Sequence, residues 1–297
     1  MKPASIIFLV ISVLVVIGGF FLCSEAEDRA AEQNIELFNI SRDAEGNRVS
    51  VMEYDPAKMQ KIAVTLKKGN VHVLEGTECK VEIYNLFEGA YIKGMSSNML
   101  QINDTLGVMD IIKEGGQGIS FGGLRNILHD LNFEEAEKCI RVYVPAGTPL
   151  NAIQITVLEG NIIFDSIHDT NADIILKAEN GSITVRDTST HSRMQIENVQ
   201  GDTNVSASFA NDIRINAADG NISVVQTEFT ACDLRAAKGD IRADLSQSVS
   251  RFVASVTASK HISFNGTPLG ANTFSTSATD GMKFTAVAED GAVEITD

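Results

Sequence analysis

The residues of this chain best suited to acid–base, nucleophilic or metal chemistry are five histidines and four cysteines, and their spacing brings few of them together. His129-Asp130 and His168-Asp169 each set a carboxylate beside an imidazole, the pairing a general base needs. Neighbours along a strand point to opposite faces, however, so both pairs read as solvated side chains rather than dyads. His72, His191 and His261 stand alone, and no His-x-His or Cys-x-x-Cys spacing suggests zinc. No Gly-x-Ser-x-Gly elbow offers a nucleophilic serine. The glycines at Gly115, Gly116, Gly118, Gly122 and Gly123 are not followed by Lys-Ser/Thr, nor set in a dinucleotide fingerprint.

Of the cysteines, Cys79 and Cys139 each open a strand-like run and bracket the one region that interrupts the pattern described below. A disulfide between them would close a long loop in an oxidising compartment; two buried thiols are the alternative. Cys232 reads as a small packed residue. Asp and Asn recur beside glycine at turns, where oxygen ligands for calcium could gather, but Gly-Gly-x-Gly-x-Asp is missing and turn chemistry explains them. No catalytic residue, cofactor or metal is assigned.

What must position any site is a repeat. Gly-x-(Ile/Val)-x-apolar recurs at Gly160, Gly181, Gly220 and Gly239, and at Gly201 with Thr203 in the third place. Lys260 takes the glycine place before Ile262, and Gly281 follows, giving steps of 21, 20, 19, 19, 21 and 21 residues. An earlier copy starts at Gly69, and a last one at Gly291. About seven residues ahead of the glycines lies a second alternating segment, such as Asp173-Ile174-Ile175-Leu176 or Ile213-Arg214-Ile215-Asn216. Apolar spacing of two is a strand with one buried face, and glycine beside Asn or Asp is a tight corner. One repeat is therefore strand, corner, strand, longer turn. The fold class expected is all-β: a single-stranded β-helix, or solenoid, of about 20 residues per coil. Eight or nine coils at roughly 4.8 Å per rung would make a rod on the order of 40 Å long.

Ala4 to Cys23 carries no charged side chain and matches the length of a membrane-crossing helix. Lys2 lies before it and Glu25, Glu27 and Asp28 after, so we expect export of everything beyond. Residues 1–24 read as a signal-anchor, with cleavage near Ser24-Glu25-Ala26 and secretion as the other reading. Residues 25–60 form a lead-in and 61–297 the solenoid domain, a single-pass protein with its C-terminal body outside the cytoplasm. All 39 acidic residues and 23 of the 24 basic ones follow the anchor, so the exported part carries 23 minus 39, or −16. That charge argues against nucleic acid.

The pattern stops near Asn85 and resumes at Cys139, leaving an irregular insertion over residues 85–138. Within it Leu124, Ile127, Leu128 and Leu131 have the spacing of a short amphipathic helix, suited to capping the solenoid or to docking.

The order Cys139-Ile140-Arg141-Val142-Tyr143-Val144-Pro145, Leu150, Ile153-Gln154-Ile155 and Gly160-Asn161-Ile162 resembles a bacterial exported domain family of unknown function, the putative-adhesin or toastrack-like solenoids. The resemblance covers roughly residues 60 to 297 and implies an envelope role in adhesion, scaffolding or stress sensing, with no catalytic residue to carry over. The expected function is a membrane-anchored, non-catalytic binding or scaffolding module whose partner is an envelope protein or a cell-wall or surface polymer. A β-helix enzyme acting on polysaccharide and a self-associating, filament-forming solenoid are the alternatives. In the latter, the strand after Gly291 would be an uncapped end.

Overall fold

A computed structural model describes residues 43–297 apart from 45, 48, 87–91, 105–136, 247 and 279–280. The anchor, the amphipathic helix, the glycine-rich stretch and His129-Asp130 lie outside the described residues.

Alternation along the chain resolves into two facing sheets. Segments that end just before a corner glycine, such as Ala152–Glu159, Asp173–Asn180 and Ser189–Gln200, stack in parallel as one sheet. Segments that follow the glycine, such as Ile162–Asp165, Ile183–Arg186 and Thr203–Ser206, stack as the second. The register is maintained residue for residue, so Leu176 lies between Ile155 and Ile196, and Val185 between Phe164 and Val205. Inward side chains thereby meet their equivalents one coil away. Ile155, Leu176, Ile196, Ile215 and Leu234 form one such buried column between the sheets. Each aliphatic residue so buried contributes about 1.5–3 kcal/mol before chain entropy is counted.

The middle coils succeed one another in sequence order; the ends do not. Lys61–Lys68 and Asn70–Glu75 form a layer that lies between two later ones. One is Ala152–Glu159 with Ile162–Asp165, and the other is Met99–Asn103 with Cys139–Val144. Antiparallel strands then cover this outermost layer: Lys80–Tyr84 pairs with Cys139–Val144, Val49–Glu53 with Lys80–Tyr84, and Ile92–Ser96 with Met99–Asn103. The interrupted region is thus not irregular throughout, and the lead-in supplies a strand of its own.

The other end repeats the device. Met282–Asp290 and Val293–Thr296 slide between the layer of Ile222–Lys238 and Ile241–Leu245 and the layer of Phe252–Ala258 and Ile262–Phe264. After Phe264 the chain reverses through Asn265-Gly266, both at positive φ (+48° and +74°), the backbone a two-residue hairpin turn requires. Thr267–Pro268 and Thr273–Ser275 then pair antiparallel outside that layer. The strand after Gly291 is therefore an interior rung, not a bare end. A two-residue edge strand carrying proline is also poorly suited to pairing with a neighbour. Phe284 of the inserted rung packs against both Phe229 and Phe252, with ring centroids 6.2 and 6.5 Å away, and those two rings meet each other at 5.3 Å.

The glycines stack as a column. A Cβ on Gly181 would lie 2.0 Å from the carbonyl oxygen of Gly160, at φ +146°, so no other residue fits there. Gly69, Gly160, Gly181, Gly201, Gly220, Gly239 and Gly291 succeed one another in this column. Lys138 and Lys260 occupy its two ends, through hydrogen bonds from Asn70 N to Lys138 O and from Lys260 N to Gly291 O (2.8 and 3.0 Å). Gly281 is not a member: nothing lies within 4 Å of the place its Cβ would take. The glycine of its rung is Gly291, because the hairpin over 264–275 consumes one sequence period without adding a coil. Beside the column, Asn161 and Asn221 each accept from the backbone N–H of the next coil, at Ser182 and Asp240 (2.8 and 2.9 Å).

Candidate functional site

The corner opposite the glycines varies from coil to coil, and the surface relief is there. Its turn spans 166–172 in one coil but only 187–188 and 207–208 in the next two, and in the following coil the strand runs on through a bulge between Val225 and Thr227. In each of these four coils the chain bends at one left-handed residue: Ser166, Asp187, Ala207 and Gln226, with φ from +46° to +57°. In the last three of these coils the next residue, Thr188, Ser208 or Thr227, is buried and donates its hydroxyl to the carbonyl of Arg186, Ser206 or Val225 (3.0, 2.7 and 3.0 Å). Short hydroxyl side chains satisfy the bend from inside, and this locks the corners in line.

The residue after each hydroxyl turns outward. The backbone bonds Ser189 N to Ile167 O, Phe209 N to Thr188 O and Glu228 N to Ser208 O (2.8, 2.8 and 2.9 Å) align His168, Ser189, Phe209 and Glu228 in a row crossing four coils. Asp187 and Gln226 stand on the parallel row of bends. Between the rows lies an open trough of about 340 Å³, at the lower end of the range for ligand sites. Three rung spacings make the row about 14 Å long. His168, Asp187, Gln226 and Glu228 are exposed, while Phe209 and Ser189 are half-buried. The Phe209 ring is steadied by the edge of His191, with centroids 5.6 Å apart. Two carboxylates and no lysine or arginine line the trough.

His168, singled out in sequence for the acid beside it, does not use that neighbour. Its Nε2 lies 3.7 Å from the Asp187 carboxylate one coil on. Asp169 instead turns away at φ +50°, its N–H bonded to Ser189 Oγ at 2.8 Å. Ser189, Phe209 and Glu228 carry no signal in sequence, since nothing in a single repeat marks a corner residue as a member of a row.

A second polar cluster sits on the outer face of the post-glycine sheet near its other end. Antiparallel pairing sets Lys80 opposite Tyr143 and Glu82 opposite Arg141. Glu82 accepts from Tyr84 Oη, Tyr143 Oη and Lys80 Nζ, each at 2.9 Å. Burial works against the charged Glu82 carboxylate, yet these three donors together hold its pKa below the ordinary value. Burial and the Glu82 bond push the Tyr84 phenol up to about 12. Arg141 lies over the Tyr84 ring at 4.6 Å and Lys80 over that of Tyr143 at 4.8 Å. Through the Glu82 hydrogen bonds and the two cation–ring contacts, the cluster clamps the capping strand Lys80–Tyr84 to the coil beneath.

The three cysteines among the described residues, Cys79, Cys139 and Cys232, are free thiols. Cys79 precedes the antiparallel strand whose far end, Tyr84, faces Cys139. Five residues of strand, about 17 Å, separate the two, beyond the reach of a disulfide. Burial pushes the Cys139 thiol up to about 11 and that of buried Cys232 well above its ordinary range, so neither is an activated nucleophile. Among the described residues no group of three or more His, Cys, Asp or Glu could hold a metal.

A two-sheet parallel β-solenoid with antiparallel end strands and a corner trough is the class of protein these features define. The Toastrack DUF4097 family pattern matches residues 59–260, and the chain belongs to that family. A solved putative adhesin from Bacteroides fragilis NCTC 9343 is similar at 14% identity and a TM-score of 0.46, over 84% of this chain and 96% of that one. A putative cell adhesion protein from Clostridium sporogenes ATCC 15579 is 12% identical with a TM-score of 0.31, over 84% of this chain and 99% of that one. A putative lipid binding protein from Parabacteroides distasonis ATCC 8503 is 12% identical with a TM-score of 0.25, over 83% of this chain and 96% of that one. No curated protein sequence matches the chain.

Proposed function

We propose that this protein is a membrane-tethered, extracytoplasmic binding and scaffolding module that engages an envelope component along the corner trough and performs no catalysis. The trough carries this reading: four successive coils contribute one outward side chain each to a continuous row. The tether rests on the apolar stretch from Ala4 to Cys23 and the charge bias around it.

The test is retention of the full-length protein on isolated envelopes, compared with a variant that fills the trough, Ser189→Trp, and one that reverses its charge, Glu228→Lys. Glu228 is exposed, so Glu228→Lys should keep the parent's melting temperature. Ser189 is half-buried and its Oγ accepts from Asp169 N–H, so Ser189→Trp should melt somewhat lower while staying folded. Both variants should lose at least tenfold in retention. Equal retention of parent and variants would remove the trough from the function.

A further inference from the structure

Accepting the trough as the binding surface, the geometry points to its ligand class: we infer that it takes a linear, uncharged, hydroxyl-rich glycan lying parallel to the solenoid axis. The first argument is what the trough cannot offer. The N–H groups of Asp187, Ala207, Ser189, Phe209 and Glu228 are all bonded to carbonyls of adjacent coils. An extended peptide would bind by adding a strand, and that mode needs a free backbone edge. None is presented by these residues.

The second argument is what the side chains do offer. Asp187 and Glu228 supply carboxylate acceptors at separate points along the row, and Gln226 supplies an amide that both donates and accepts. Between them the half-buried Phe209 ring is an apolar platform, held in place by His191. Acceptors flanking one aromatic face complement a pyranose chain, whose rings have an apolar face and an equatorial rim of O–H donors. An acidic polymer would meet two carboxylates and no lysine or arginine to offset them, which disfavours it. The row spans about 14 Å at the rung spacing, a distance comparable with a few linked sugar rings.

The shape of the trough sets the affinity. It is open along its length, so a short glycan gains one aromatic contact and a few solvated hydrogen bonds and binds weakly, while a long polymer can meet many tethered copies.

The experiment titrates the full-length protein, in a detergent without a sugar headgroup, with three linear hexasaccharides and reads Phe ring and side-chain NMR shifts. The probes are cello-oligosaccharide and fully N-acetylated chito-oligosaccharide as neutral chains, and oligogalacturonate as the acidic control. A neutral chain should shift Phe209 with a millimolar or tighter Kd, and oligogalacturonate should bind at least tenfold more weakly. Phe209→Leu keeps apolar volume but removes the ring, and should weaken binding tenfold or more; Glu228→Gln should weaken it several-fold with the fold unchanged. Failure of both neutral chains to shift Phe209 overturns the inference, as does binding that Phe209→Leu and Glu228→Gln leave intact. If envelope retention still depends on Ser189 and Glu228 while both neutral chains fail, the trough remains the binding surface and its ligand is not a neutral glycan. Loss of retention dependence as well would remove the functional reading itself.

Discussion

At the scale of single residues, the stack tolerates glycine and nothing larger at its inner corner. Gly181→Ala puts a methyl carbon 2.0 Å from a backbone oxygen that the ladder cannot move. We expect a loss of about 3–5 kcal/mol, in the range of severe overpacking, read by chemical denaturation. Gly281→Ala meets open space and only the cost of a left-handed backbone at φ +75°, about 1 kcal/mol. Equal costs at the two positions would show that sequence period, not spatial stacking, decides which glycines matter. The same pair shows what single-residue reading can see. Gly69 and Gly160 to Gly239 announce themselves because a close approach of backbones forbids every other side chain. His168 and Phe209 do not, because a corner residue's role depends on which residues lie 20 positions away.

Among the elements, strands are joined laterally by ion pairs that cross coils. Asp165 accepts from Arg186 at 2.7 Å, and Glu197 pairs with Lys177 at 2.7 Å. Asp173 accepts from Ser192 and from Arg193, both one coil on. The Arg186 bond holds the Asp165 carboxyl below its ordinary 3.8, and the Ser192 hydroxyl with Arg193 does the same for Asp173. Lys177 lowers Glu197 from 4.5. A depressed folded value means that these groups bind protons less readily folded than unfolded, so they stabilise the fold above the ordinary carboxylate range. That contribution is lost as pH falls through the lowered folded values. The melting temperature should therefore be level from pH 7 to about 5 and fall below about 4. The double variant Asp165→Asn, Asp173→Asn should show a shallower fall, and an identical acid limb would show that these pairs do not set it. Alternation fixed each of these strands in sequence, since a buried face leaves only one register. It did not reveal that 80–84, 92–96 and 267–275 run antiparallel to their neighbours. A capping strand has the same period of two as a coil, and only its partner distinguishes them.

For the molecule as a whole, the order of layers in space departs from the order in sequence at both ends. Removing residues 276–297 deletes an internal rung and uncovers the mutually packed Phe229 and Phe252 rings that Phe284 rests against. Amide exchange in the truncated chain should accelerate across Ile222–Leu245 as well as at the terminus, where simple fraying would affect only 252–275. Preserved protection in 222–245 would show that the last rung is dispensable. A rod whose final segment is wedged between earlier ones also constrains how such a chain can lengthen over evolution. Appending a repeat to either terminus would leave it with no seat, because the outermost places are already taken by strands running the other way. Growth has to come from duplicating material in the middle, between Ala152 and Leu245, where order in the gene and order in the stack coincide. Each such duplication would add one more side chain to the row that lines the trough, so reach and length would increase together.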